Sequence, residues 1–266
     1  MFILCIGLAA CSAPIPPEQK ADWERDSLQA IRWERQAESL YDSAHIDSAT
    51  RLFHKAQAVW EAYEKPWEKA RVDMKLEIVD QDPASSEDQI SRGKEILRMK
   101  PRIRSDSSIL FEACITVAQA LRRGGQMDSA AAYLTKGATY ISPIKDSTSQ
   151  DHTLTHIISW IVLYQSSGNA AAMKPYFDQL RQFSSPEFPL SLSNRMESNL
   201  ITAVYYLNNS SLDSAEFYVK RAENVIRETL SAKHPLLAMI LSWQSYVFNL
   251  QGNYEAGLNN NLELIE

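Results

Sequence analysis

Small side chains recur along the chain at fixed distances, between stretches whose apolar residues follow helical spacing. Three near-identical tetrapeptides, Ile46–Ala49, Met127–Ala130 and Leu212–Ala215, each end in alanine. We define the fourth position of this motif as the anchor of a repeat. Weaker copies of the motif place further anchors at Met173 and Gly257, and a degenerate one at Gly93. Successive anchors lie 44, 37, 43, 42 and 42 residues apart, so the pattern predicts six repeats of one structural unit.

Each strong anchor is accompanied by a small residue twelve positions before it and another seven positions after it. The three sets are Ala37, Ala49 and Ala56; Ala118, Ala130 and Gly137; and Ala203, Ala215 and Ala222. Small side chains let two antiparallel helices approach closely, while larger neighbours fill the grooves on either side. The spacing therefore predicts a helix pair in every repeat, with its close crossing at these positions.

The first helix of each pair, helix A, is predicted over residues 25–42, 67–80, 107–123, 151–166, 191–208 and 234–250. Helix B begins at the anchor motif, and its apolar residues follow helical spacing, as in Ala49, Phe53, Ala56 and Trp60. The prolines lie at the joints between the predicted helices, where proline ends a helix or opens its first turn. No alternation with period two predicts a strand, so we expect an all-α fold.

This set of small residues resembles the tetratricopeptide repeat, a helix-turn-helix unit with small residues at its eighth, twentieth and twenty-seventh positions. The resemblance covers residues from about 25 to 266, strongly in the first, third and fifth repeats and weakly in the second. The longer period and the joint around His234 and Pro235 look like the forty-two-residue repeats of kinesin light chains and of bacterial arrays that precede a CHAT domain. The resemblance implies a right-handed α-α superhelix, a solenoid of about six helix pairs.

The N-terminus carries a short apolar run, Phe2–Ala10, that ends in Leu8-Ala9-Ala10-Cys11. It resembles the lipobox of a bacterial lipoprotein signal, which implies cleavage before Cys11 and attachment of lipid to its thiol. Residues 1–10 are then a signal peptide, residues 11–24 a proline-rich tether, and residues 25–266 the solenoid. No Lys or Arg precedes the run, as a secretory signal normally requires. A buried or frayed cytoplasmic tail is the alternative.

Composition excludes several functional classes. Only 8 of the 266 residues are glycine, which argues against a glycine-rich phosphate cradle. The 27 basic and 33 acidic residues give a net charge of -6, and no basic run follows the chain, which argues against nucleic acid as a partner. The cysteines are Cys5, Cys11 and Cys114, too few and too scattered for a disulfide framework or a thiolate zinc site.

The candidate chemical groups have structural interpretations. Cys114 lies on an apolar face of a predicted helix, where cysteine packs as a small hydrophobe. His152 and His156 are one helical turn apart, a spacing that suits a metal, but no third ligand is apparent, and solvent exposure near a helix start explains them more simply. The aspartates of the anchor motifs are expected to cap helix N-termini. We therefore predict no catalytic residue, no metal and no cofactor.

The concave face of the solenoid is the predicted functional surface, since solenoids hold partners on surfaces of this kind. Its candidate partner-binding residues are Glu34, Glu38, Tyr41, Gln119, Arg122, Gln165, Asn208, Tyr246 and Asn249. The favoured function is a non-enzymatic scaffold that binds a protein or peptide and is held at a bacterial envelope membrane only through Cys11. One alternative is the sensory arm of a larger enzyme, a CHAT-type protease or a histidine kinase. Another is an assembly or glycan-uptake lipoprotein of the outer membrane.

The last helix B carries Leu258, Leu262 and Ile265 on one stripe, without a polar capping helix after it. Terminal repeats of a solenoid usually need such a cap. We therefore expect either that the natural chain continues into a further helix or that this end pairs with a second copy.

Overall fold

A computed structural model describes residues 17–79, 86–103, 106–141, 148–184, 190–231 and 233–263. This part of the chain contains twelve α-helices and no strand. None of its helices is long and apolar enough to cross a membrane. The predicted signal peptide, Cys5, Cys11 and Ile265 lie outside the described residues.

The helices alternate between helix A and helix B of six successive pairs. In chain order they are α1 (Pro17–Asp42), α2 (Ile46–Ala62), α3 (Pro66–Val79), α4 (Ser86–Ile96), α5 (Asp106–Arg123), α6 (Met127–Ile141), α7 (Thr148–Ser166), α8 (Ala170–Leu180), α9 (Leu192–Asn208), α10 (Leu212–Arg227), α11 (Pro235–Leu250) and α12 (Tyr254–Glu263). A 3-10 turn, Arg181–Ser184, follows α8. The chain is therefore an all-α solenoid of six tetratricopeptide-like helix pairs, as the repeat pattern predicts.

The first helix begins earlier than expected, at Pro17 rather than at Arg25. Residues 17–24, predicted as part of the tether, form the first turns of α1. The indole of Trp23 packs edge-on against Trp60 and Tyr63 of α2, with ring centroids 5.9 and 5.0 Å apart. This aromatic contact gives the early turns a partner, and proline is compatible with the first turn of a helix.

The predicted small residues lie at the closest helix crossings. Ala37 and Ala49 are 0% exposed, and Ala203 and Ala215 are 1% and 0% exposed. At Gly137, an added Cβ atom would lie 3.3 Å from the Cβ atom of Cys114 on the facing helix. Since there is no room for a larger side chain, the steric explanation of the spacing is confirmed.

The turn between helix A and helix B has the same backbone conformation in five of the pairs. The residue five positions before the anchor has positive φ each time: Ala44, Gly125, Gly168, Ser210 and Gly252, with φ between 58° and 78°. The next residue donates its N–H to a carbonyl five residues back, as from Ser211 to Tyr206 at 2.9 Å. This is the Schellman arrangement that ends helices with a left-handed residue.

The second pair departs from the common arrangement. Helix α4 packs on α5 of the next pair, and a Cβ atom at its anchor Gly93 would overlap Val117. Between α3 and α4 the contact is made by long polar side chains: Glu77 accepts a hydrogen bond from Gln89 at 2.8 Å and pairs with Arg92 at 2.8 Å. This departure accounts for the weak repeat signal in this part of the sequence.

The first pair also meets the start of the sixth. Asp42, the last residue of α1, accepts a hydrogen bond through its carbonyl oxygen from the N–H of Ser231 at 3.2 Å. The Tyr41 ring packs edge-on against His234, which directly precedes α11. The segment before α11 therefore contacts the end of α1, which lies five helix pairs earlier in the chain.

Candidate functional site

The helices A form the inner wall of the solenoid. Neighbouring helices A pack on each other from α3 through α5 and α7 to α9, whereas neighbouring helices B show no comparable contact among the described residues. Because closer spacing on one side curves a stack of helix pairs toward that side, the helices A line the concave surface.

In each of the last four helices A, four positions lie on this inner wall, at the same distances from the anchor. In the last four pairs they are Glu112, Thr116, Gln119 and Arg123 on α5; Thr155, Ser159, Val162 and Ser166 on α7; Glu197, Ile201, Val204 and Asn208 on α9; and Met239, Trp243, Tyr246 and Leu250 on α11. Their character changes along the array. The wall is polar and charged on α5 and becomes apolar and aromatic toward α11.

Of the predicted binding residues, Gln119, Asn208 and Tyr246 lie on this wall, and Gln165 and Asn249 lie one position beside it. Gln119, Gln165, Asn208 and Asn249 are exposed, and Tyr246 is 52% exposed with its ring edge-on to Trp243. None of the four amide side chains forms a side-chain hydrogen bond with the residues that the structure describes. They are positioned to donate to and accept from a bound partner.

Glu34 is a structural residue instead. It is 4% exposed, and its carboxylate accepts hydrogen bonds from Trp60 Nε1 at 3.0 Å and from Arg71 at 2.8 and 3.1 Å. Lys75 Nζ lies 3.4 Å from the same carboxylate and 2.6 Å from Glu38. The prediction that Glu34 contacts a partner is wrong because α3 covers it, while Glu38 remains exposed at the edge of this cluster.

Tyr41 is half-buried rather than free on the wall. His234 covers its ring edge-on with centroids 4.8 Å apart, and burial raises the pKa of its hydroxyl, helped by the nearby Asp42 carboxylate. The contact comes from a residue five pairs further along the chain. It therefore removes Tyr41 from the surface that a partner would reach.

Arg122 lies next to the wall position Arg123 and carries a second positive charge at this end of α5. Its Nη1 atom donates to Ser166 Oγ at 3.0 Å across to α7, and its buried Nε atom has no hydrogen-bond partner within the described segments. Burial lowers the pKa of its guanidinium, and the positive charge of Arg123 adds to that shift. An anionic group on a partner would offset both the burial of the guanidinium and its repulsion by Arg123.

Glu197 is a candidate that the sequence reasoning missed. It is partly buried on the wall, burial raises the pKa of its carboxyl group, and it forms no hydrogen bond or ion pair with the described residues. Its position relative to the anchor is shared with Glu112, Thr155 and Met239, so applying one register to every helix A would have found it.

Cys114, His152 and His156 are packing residues. Cys114 is 0% exposed, and burial raises the pKa of its thiol to about 11. His152 is 8% exposed and packs edge-on against Phe111 with ring centroids 4.8 Å apart. His156 Nε2 lies 3.0 Å from the carbonyl oxygen of Leu134 and 3.1 Å from Trp160 Nε1. The expectation that both histidines are solvent-exposed is therefore wrong.

Among the described residues, no group of three His, Cys, Asp or Glu side chains could hold a metal ion. The anchor aspartates Asp47, Asp128 and Asp213 lie in the first turns of α2, α6 and α10. The structure gives none of these three carboxylates a hydrogen bond to a backbone N–H, so their effect on the helix is electrostatic rather than true capping.

No protein-family model matches the chain, and no curated protein matches it. Among solved structures, the crystal structure of BtubC (BKLC) from P. vanneervenii is similar, with 14% sequence identity and a TM-score of 0.45. The similarity covers 90% of this chain and 87% of that one.

Proposed function

We propose that this chain is a non-enzymatic scaffold that binds a protein or peptide along the inner wall of its helices A. The observation that carries the proposal is the run of unpaired side chains on that wall. Gln119 and Asn208 on the wall and Gln165 beside it expose amides that have no hydrogen-bond partner among the described residues, and Ile201 and Val204 of α9 add apolar side chains. Amides next to apolar surface supply the hydrogen bonds and contact area that hold an extended or helical segment.

Arg122, beside the wall, and Glu197, on it, restrict the chemistry of the partner. Among the described residues, the buried Nε atom of Arg122 has no acceptor and the partly buried carboxylate of Glu197 has no donor. A partner segment with an acidic group for Arg122, a basic group for Glu197 and apolar side chains for α9 and α11 would satisfy each of them. Electrostatic complementarity of this kind contributes specificity more than affinity.

Site-specific crosslinking tests this proposal. A photoreactive amino acid is placed at Gln119 or Asn208 on the inner wall, and at the exposed Arg51 and Lys174 on helices B as controls. We expect the inner positions to crosslink the same partner and the outer positions to give no such product. Val204→Glu should abolish the crosslink while the helical circular dichroism stays unchanged. Equal crosslinking from both faces would contradict a binding role for the inner wall.

We also propose that Cys11 is lipidated and holds the scaffold at a bacterial envelope membrane. The support is the sequence alone, Leu8-Ala9-Ala10-Cys11 after an apolar run. Each buried CH₂ group of an acyl chain contributes about 0.8 kcal/mol, so more than one chain is needed for firm anchoring.

Metabolic labelling tests the anchor. When the full chain is expressed in a bacterium, it should incorporate labelled fatty acid and sediment with membranes. Cys11→Ala should remove the label, whereas Cys5→Ala should retain it. A wild type that carries no label would place the protein in the cytoplasm.

A further inference from the structure

Basic residues collect at the end of α4 and in the joint that leads to α5, although the chain as a whole has a net charge of -6. Residues 92–102 contain one acidic side chain, Glu95, and five basic ones: Arg92, Lys94, Arg98, Lys100 and Arg102. The other described joints from a helix B to the next helix A contain at most one Lys or Arg each. We call Lys94, Arg98, Lys100, Arg102 and Ile103 the basic edge.

Three charges of the basic edge are not used within the fold. Lys94, Arg98 and Lys100 are exposed and form no hydrogen bond or ion pair with the described part of the chain. Arg92, by contrast, pairs with Glu77 at 2.8 Å. A basic residue in the last turn of a helix complements the helix dipole, which accounts for Lys94. Lys100 lies beyond the reach of that effect, so the dipole does not explain the whole set.

Ile103 adds an apolar side chain to these charges. It is 62% exposed, although its backbone is held in place. The Asp106 carboxylate accepts the N–H of Arg102 at 2.7 Å and that of Ile103 at 3.2 Å, and the Asp106 N–H donates to the carbonyl oxygen of Ile103 at 3.1 Å. Basic side chains around an exposed aliphatic one suit the surface of an anionic bilayer, where the charges meet headgroups and the aliphatic chain enters the acyl boundary. An acidic protein would need only the charges.

The basic edge lies on the same side of the solenoid as the start of α1. Since consecutive helices run in opposite directions, helices B end where helices A begin. Two contacts show how near these ends are. Lys65 Nζ lies 4.7 Å from the centre of the Trp23 ring in α1, and Arg102 Cζ lies 5.8 Å from the centre of the Trp67 ring in α3. Only the short joint between α2 and α3 therefore separates the start of α1 from the basic edge.

This placement connects the basic edge with Cys11. Cys11 precedes Pro17, the first residue of α1, by six residues, and a chain of that length spans at most about 20 Å. A lipid on Cys11 would thus hold this side of the solenoid close to the bilayer. We propose, resting on the proposed anchor for this orientation, that the basic edge binds the anionic headgroups of the same bilayer and inserts Ile103 between them. A basic patch is the second signal that makes attachment by a lipid chain stable.

Vesicle sedimentation of the full-length Cys11→Ala variant, which cannot be lipidated at this position, tests the basic edge. The variant should bind vesicles of phosphatidylglycerol and phosphatidylcholine in equal parts, and binding should disappear in about 1 M salt. Vesicles of phosphatidylcholine alone measure what the apolar residues 2–10 contribute. Adding Lys94→Gln, Arg98→Gln and Lys100→Gln should lower the binding constant about a hundredfold, because each charge near an anionic surface contributes about a factor of five.

Two further variants identify the surface and the partner. Arg51→Gln, Lys55→Gln and Lys174→Gln remove the same charge from exposed positions of α2 and α8 and should leave vesicle binding unchanged. Ile103→Ser keeps every charge and should lower binding about tenfold, because the aliphatic contact is lost. Circular dichroism should show all variants folded.

The proposal is overturned if anionic vesicles bind no better than neutral ones, if the α2 and α8 control loses as much binding as the basic-edge variant, or if Ile103→Ser changes nothing. Binding of a polyglutamate peptide without binding of vesicles would also overturn it and would assign the basic edge to an acidic protein. Because the chain in this experiment carries no lipid on residue 11, the result is separate from the labelling test of the anchor.

Discussion

Tyr41 at the end of α1 and His234 at the start of α11 meet edge to face, with ring centroids 4.8 Å apart. His234 is 1% exposed, and its Nδ1 atom accepts the backbone N–H of Leu236 at 3.2 Å, which caps α11. Asp42 and Ser231 add a backbone hydrogen bond beside the two rings. His234 therefore both caps the N-terminus of α11 and forms part of the contact between the first and sixth helix pairs.

This arrangement predicts that the protein loses stability in mild acid. Burial lowers the pKa of His234, and the Asp42 carboxylate only partly opposes that shift. Burial also lowers the pKa of His156. Because the folded-state pKa values lie below the ordinary value, the unfolded chain binds protons first, so stability is lost as the pH falls below about 6.5. The urea midpoint should be lower at pH 5.5 than at pH 7.5.

The variant His234→Asn isolates the contribution of His234 to the dependence of stability on pH. Asparagine also caps helices well through its side-chain oxygen but does not titrate. The variant should have a smaller difference between the two urea midpoints, and the remainder combines His156 with the opposing contribution of Glu197, whose pKa burial raises. An unchanged difference would mean that His234 does not titrate between the folded and unfolded states.

Glu34→Ala should destabilise the first two pairs. The change leaves Trp60 Nε1 without its acceptor and removes the carboxylate that Arg71 and Lys75 share, at a cost of about 2–4 kcal/mol. Denaturant unfolding measures the loss. Glu34→Gln keeps an acceptor for Trp60 and should lose less. A loss below about 0.5 kcal/mol for the alanine variant would contradict the structural role of this carboxylate.

Ala203→Leu and Ala215→Leu should each lower the free energy of unfolding by about 1–3 kcal/mol, because both alanines are at the crossing of α9 and α10 with no free volume. The exposed Ala171 of α8 provides the control, and Ala171→Leu should have little effect. If all three variants unfolded at the same denaturant concentration, the assigned helix crossing would be incorrect.

Ser210→Gly should stabilise the protein. Ser210 has φ of 58° at a turn position where three other pairs carry glycine. A left-handed conformation costs a residue with a Cβ atom about 1–2 kcal/mol, and the extra chain entropy of glycine offsets part of the gain. We expect a net gain of about 0.5–1 kcal/mol in thermal or denaturant unfolding. Gly168→Ala, at φ of 67°, is the opposite test and should destabilise.

The Cys114 thiol should resist alkylation in the folded protein. Its pKa of about 11 leaves few thiolates at pH 8, and its 0% exposure blocks the reagent. Peptide mass spectrometry after iodoacetamide treatment should find Cys114 unmodified until denaturant is added. Since the folded-state pKa is raised, its contribution to stability is lost as the pH rises from about 9 through 11. Rapid labelling of Cys114 in the folded chain would contradict this packing role.

The repeat pattern predicted the fold closely because each small residue lies at a helix contact within its own pair. Ala49, Ala130 and Ala215 lie where the spacing places them, and all are at most 1% exposed. Contacts of this kind are local, so one sequence is enough to recognise them. The ends of the helices were less predictable where an aromatic contact, such as that of Trp23 with Trp60, extends a helix.

The candidate site was only partly predictable, because burial of a polar residue depends on what the next helix brings to it. Glu34 is predicted on the concave face, but Arg71 and Lys75 reach back from α3 to cover it. His152 lies near a helix start, yet Phe111 of the preceding pair encloses its ring. Tyr41 is covered from the other end of the array, and no local periodicity can indicate such a contact.

The meeting of α1 with α11 has a consequence for folding kinetics. Solenoids fold quickly because almost all their contacts join neighbouring units. The Asp42–Ser231 and Tyr41–His234 contacts join distant units, so they form only after the intervening pairs are in place. Interactions absent from the folding transition state act on the unfolding rate. Tyr41 and His234 therefore prolong the lifetime of the folded array without setting the speed at which it forms.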